Sequence, residues 1–135
     1  LRLSPLFFAR AIFALLLGAV TWLTLTPSPE DADAGLKIMR WIANVLLRDS
    51  ALGDKVAHFT AYAALGASAF WARLGASYWP PLVLAGYGAA LEVVQGMGGV
   101  RSPELADGLA NIAGAVAGYV AAVMVTRFLS KAAAS

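Results

Sequence analysis

The sequence has no cysteine. That excludes disulfides, thiolate metal centres and a cysteine nucleophile. Charge is scarce too: Asp, Glu, Lys and Arg make up 13% of the 135 residues, where a soluble domain carries about 25%. The net charge is +2 with a single histidine, and no basic patch is interleaved with aromatics, so nucleic acid is not an expected partner. There is no G-x-S-x-G elbow or comparable nucleophile motif. What fills the chain is apolar: 60% of it is hydrophobic and the mean hydropathy is +0.71. Most of its surface is therefore expected to meet lipid, and its length suits one domain, 1–135.

A hydrocarbon layer of about 30 Å needs roughly 20 apolar residues in a helix. Four segments meet that requirement and predict an all-α, integral membrane four-helix bundle: about 6–26, 55–73, 80–98 and 103–127. Ser4-Pro5 opens the first as cap and first helical residue, and Pro80-Pro81 opens the third. Ser102-Pro103-Glu104 opens the fourth, with the acid near the positive end of the helix dipole. No A-x-A site follows the first segment, so it is expected to be a retained anchor, not a cleaved signal peptide.

Between the first two spans, about 29–48, Ile38, Met39, Ile42, Val45 and Leu46 recur at helical spacing. Lys37, Arg40, Asn44 and Arg48 fall largely on another face. This predicts an additional amphipathic helix lying in the membrane interface, with Trp41 at head-group level; an ordinary loop helix fits the same pattern. With the N-terminus inside, the inner side holds Arg2, Arg10, Arg73, Arg127 and Lys131 and no acid. All eight acids then lie outside, with five further cations, so the sequence favours N-in, C-in by undiluted inner positive charge and not by count.

Three helical faces break the apolar pattern. Lys55, His58 and Tyr62 share one face of the second span, and Gly88, Glu92 and Gln95 one face of the third. Asp107, Asn111, Gly114 and Gly118 share a face of the fourth. With alternating topology, the polar groups all fall at the same side of the membrane. A charged side chain at mid-bilayer costs roughly 2.5–3.5 kcal/mol, so these groups should face one another and not lipid. His58, Glu92, Gln95, Arg101, Asp107 and Asn111 are expected to form one pocket under the outer surface. Asp54 reads first as a helix cap and Glu104 as a first-turn acid, while Gly114-x-x-x-Gly118 reads as a helix-packing motif.

The same residues resemble the VanZ-like family of small bacterial membrane proteins. Asp54, Lys55, His58, Phe59 and Tyr62 match its Asp-Lys-x-x-His-Phe-x-x-Tyr start to one span. Glu92 and Gln95, then Arg101, then Asp107, Asn111, Gly114 and Gly118 match the elements that follow, so the resemblance covers about 53–118. Val94 stands where family members often have a histidine, and the loop before Arg101 is Gly-rich where a proline is expected. The resemblance implies a place in the bacterial cytoplasmic membrane and a link to resistance to the glycopeptide teicoplanin, which acts on cell-wall precursors outside it.

Three functions follow as expectations. In the first, the pocket binds a lipid head group or a lipid-linked wall intermediate, with Lys55 and Arg101 on phosphate and Tyr62, Gln95 and Asn111 as further ligand contacts. In the second, the protein is an intramembrane hydrolase or transferase acting on a lipid-linked phosphate or ester. His58 is then the base, Glu92 or Asp107 orients it or acts as acid, and Arg101 stabilises developing charge. In the third, the cluster serves only packing in a structural subunit with a membrane-protein partner or a second copy. No cofactor is expected. A metal held by His58, Glu92 and Asp107 is chemically feasible, but their spacing across three helices is not a metal motif.

Overall fold

A computed structural model describes residues 4–25, 29–75, 78–98 and 104–134, with 29–36 described as backbone. Five α-helices follow in order: α1 (Pro5–Leu25), α2 (Pro29–Leu47), α3 (Gly53–Trp71), α4 (Trp79–Met97) and α5 (Leu105–Ala132). A 3₁₀ turn, Ser50–Leu52, joins α2 to α3, and no strand occurs among the described residues.

The helix starts follow capping chemistry where it is visible. Phe7 N–H donates to Ser4 Oγ at 3.2 Å, leaving Pro5, which has no N–H to satisfy, as the first helical residue. Pro80 and Pro81 follow Trp79 in the first turn of α4, which has no side-chain cap. Asp49 caps the 3₁₀ turn by accepting from Ala51 N–H at 2.9 Å. Asp54, expected as a cap, instead lies in the first turn of α3, whose N-cap is Leu52. The expected starts at Ser28 and at Ser102-Pro103 lie outside the described residues.

Two helices, Pro5–Leu25 and Leu105–Ala132, are long and apolar enough to cross a membrane. The four-span expectation is thus met in full only by these two. Helices α3 and α4 have 19 residues each, so length is not what sets them apart. Polar side chains lower their mean hydropathy: Asp54, Lys55, His58 and Thr60 in α3, Glu92 and Gln95 in α4.

Helices α3 and α5 form the tightest contact of the fold. A Cβ on Gly114 or Gly118 would overlap the backbone carbonyls of Phe59 or Ala63, and one on Gly66 would overlap that of Ala115. The packing motif read from the sequence therefore brings α5 against α3 at backbone distance. Tyr62, Leu65, Ala69, Leu84 and Ala115 form the buried core beside it. Phe13, Leu16, Leu17 and Val20 of α1 cover that core, although no residue of α1 is itself fully buried. Arg10 Nε donates to the carbonyl of Ala72 at 3.3 Å, tying the start of α1 to the end of α3.

Helix α2 docks on α3 through fully buried Ala43, and Gly53 lies where a Cβ would meet Arg40. Ile38, Trp41, Val45 and Leu46 stay more than half exposed, so the broader apolar face of α2 is turned away from the bundle. Helices α1 and α4 end, and α3 and α5 begin, at one side of the bundle. The polar residues gather there.

Candidate functional site

Lys55 and His58 stand one turn apart at the start of α3, facing the first two turns of α5. The Lys55 ammonium lies 2.8 Å from Asp54 Oδ2, 2.5 Å from Glu104 Oε2 and 2.7 Å from Asp107 Oδ1. Three carboxylates thus surround one ammonium. Asp107 is only 2% exposed. Its Oδ1 meets Lys55 at ion-pair distance.

His58 is held from one side. Its Nδ1 lies 2.9 Å from Asn111 Oδ1. An amide oxygen only accepts, so Nδ1 carries a proton and donates it. The opposite ring nitrogen, Nε2, faces Asp107 Oδ2 across 3.8 Å, which is beyond hydrogen-bond range. Glu92, 8% exposed, completes the group from α4. One ligand-competent atom from each of His58, Glu92 and Asp107 lies within 4.8 Å of the others.

Gly88 lets α4 come this close. A Cβ there would stand 2.9 Å from the Tyr62 hydroxyl and 3.1 Å from Asn111 Nδ2. Tyr62 and Asn111, each 2% exposed, therefore close the floor of the site.

Six of the eight residues singled out in the sequence are brought together: Lys55, His58, Tyr62, Glu92, Asp107 and Asn111. Gln95 turns elsewhere. Its Nε2 donates to the Thr24 carbonyl of α1 at 2.9 Å, next to the hydrogen bond between Thr21 and Tyr87 that also joins α1 to α4. Arg101 lies outside the described residues. Sequence reasoning missed the grip of Asp54 and Glu104 on Lys55. The adjacent Asp54-Lys55 pair was a visible signal for half of that grip, while Glu104 is 49 residues away along the chain.

Chemically, the arrangement offers acceptors and one oriented imidazole, with no hydroxyl or thiol nucleophile beside them among the described residues apart from the Tyr62 phenol. Its ammonium is already committed to carboxylates.

No curated protein and no solved structure matches the chain. A sequence profile described as VanZ/LLP1 matches residues 13–126, most of the chain and every described member of the site. That match, together with two apolar helices able to span a bilayer, marks a membrane protein, and the chain belongs to the VanZ/LLP1 family.

Proposed function

We propose that this protein binds the polar head of a lipid or lipid-linked envelope intermediate at the outer boundary of the bacterial cytoplasmic membrane. In this reading α1, α3, α4 and α5 all cross, with both termini inside. Nineteen residues of helix span about 28 Å, close to the hydrocarbon thickness. The polar faces of α3 and α4 turn toward each other and α5, so their low hydropathy does not expose charge to lipid. Helix α2 then lies along the outer interface, with its exposed Trp41, Val45 and Leu46 in the head-group layer.

The observation that carries the reading is the convergence of His58, Glu92 and Asp107 from three helices within 4.8 Å. Buried acceptors of this kind are retained at a cost and mark function in membrane proteins. The acceptors of Glu92, Asp107 and Asn111 suit a head group that brings donors, hydroxyls or an amine. Lys55, held by three carboxylates, serves to position Asp107; phosphate contact falls to Arg101. The test is lipid retention: protein purified in mild detergent should carry a defined lipid class, identified by mass spectrometry. Glu92→Gln and His58→Ala should lose that lipid while eluting as folded protein. Equal lipid content in all three would remove the reading. A companion test is teicoplanin susceptibility of a host expressing each form.

One observation favours hydrolysis as a second reading. The Asn111 bond orients the imidazole and turns Nε2 toward Asp107, where a base would take a proton from water. Turnover of lipid-linked phosphate or ester by the wild type, lost in His58→Ala, would establish it; equal rates in both would dismiss it.

A further inference from the structure

We infer that His58, Glu92 and Asp107 hold a divalent transition-metal ion. Three observations converge on this.

The first is the orientation of His58. Asn111 holds Nδ1, and the opposite ring nitrogen, Nε2, faces Asp107. An imidazole whose second nitrogen donates to an oxygen is the usual setting of a metal-bound histidine.

The second is distance. Nε2 and Asp107 Oδ2 are 3.8 Å apart, too far for a hydrogen bond between them. Donor atoms about 2.1 Å from one ion in a tetrahedral shell stand roughly 3.4 Å from each other. The separation is within a few tenths of an ångström of that edge, and the Glu92 carboxylate falls within the same reach.

The third is Asp107 itself. It is 2% exposed, and Lys55 Nζ stands 2.7 Å from its Oδ1. That leaves Oδ2 turned toward the imidazole.

One imidazole and two carboxylates select Zn²⁺ or Mn²⁺ over Mg²⁺ and Ca²⁺, which take oxygen ligands. Three protein ligands leave a position open for water or a head-group oxygen. The inference uses the site of the head-group reading and deepens it: a bound ion offers an anionic or hydroxylated head group a direct contact that the carboxylates alone do not.

The experiment is calorimetric titration of the metal-stripped full chain in detergent, without added lipid, using Zn²⁺ and then Mn²⁺. One ion per chain is expected. Asn111→Ala, which frees the imidazole, should weaken binding by about 10–100-fold. Glu92→Gln and His58→Ala should weaken it further, and Thr126→Ala, distant on α5, should not change it. Elution profiles recorded without ion check that each variant is folded. Should either ligand variant fail to fold, pulsed electron paramagnetic resonance of Mn²⁺ on the wild type reads the site directly: nitrogen coupling from one imidazole is expected. Absence of stoichiometric binding, full affinity in folded Glu92→Gln or His58→Ala, or bound Mn²⁺ without nitrogen coupling would overturn the inference. The titration reads ion stoichiometry and the lipid-retention test reads bound lipid, so failure of either measurement leaves the other standing.

Discussion

Two stretches of the α3–α5 contact solve opposite problems. At the start of both helices, Lys55 and His58 meet Asp107 and Asn111 through side chains, with acids on three sides of one ammonium. Beginning one turn further along, Gly66, Gly114 and Gly118 bring the two backbones together with no room for a methyl group. The glycine stretch is apolar and fully packed, and it offers no chemistry. The polar stretch is held in register by it and pays in desolvated charge. The difference teaches how a small membrane chain affords a buried ionisable cluster: close packing next door fixes the helices, so the cluster does not have to.

That division can be broken at either end. The largest effect is expected from Gly118→Val, whose side chain would collide with the Ala63 carbonyl. We expect a loss of about 3 kcal/mol or more, seen as collapse of the monodisperse elution peak and a lower unfolding temperature in detergent. Lys55→Met is next. It leaves buried Asp107 without its cation and should cost about 3 kcal/mol; adding Asp107→Asn to it should recover part of that loss, measured as a double-mutant cycle of unfolding. Tyr87→Phe removes the hydrogen bond to Thr21 that fastens α1 to α4. It should cost about 1 kcal/mol in unfolding while leaving ion affinity unchanged, since it touches neither stretch. The smallest effect is a gain. Arg48 ends α2 with φ of 56°, a conformation that costs a side-chain-bearing residue roughly 1 kcal/mol, so Arg48→Gly should raise the unfolding temperature slightly.

The two stretches were not equally legible in the sequence. Small residues four apart on α5 announce close packing whatever the partner is, and the structure supplies α3 as that partner. The polar faces were legible as faces, because i, i+3 and i+4 spacing puts Lys55 with His58 and Asp107 with Asn111 whatever surrounds them. Direction within a face was not. Gln95 shares the sequence pattern of Glu92 but lies about 60° around the helix from it, enough to reach the Thr24 carbonyl of α1 and miss the cluster. The pairing of Glu104 with Lys55 was hidden because the acid precedes α5 and its partner follows the start of α3, a contact only tertiary folding creates. Helix α5 continues past Arg127 to Ala132, since Ser130, Lys131 and Ala132 include no helix breaker and a helix does not need lipid around its last turn.

The central claim is that side chains from three helices meet at His58, Glu92 and Asp107. The cysteine-free sequence makes a direct test clean, because any introduced pair is the only thiol pair in the chain. His58→Cys combined with Glu92→Cys, treated in native membranes with a thiol bridging reagent of about 5 Å span, should cross-link nearly completely, as read by mass spectrometry of the digested chain. The same reagent on Glu92→Cys combined with Thr126→Cys should give no cross-link. Absence of the first bridge in folded protein, or equal bridging of the two pairs, would contradict the account.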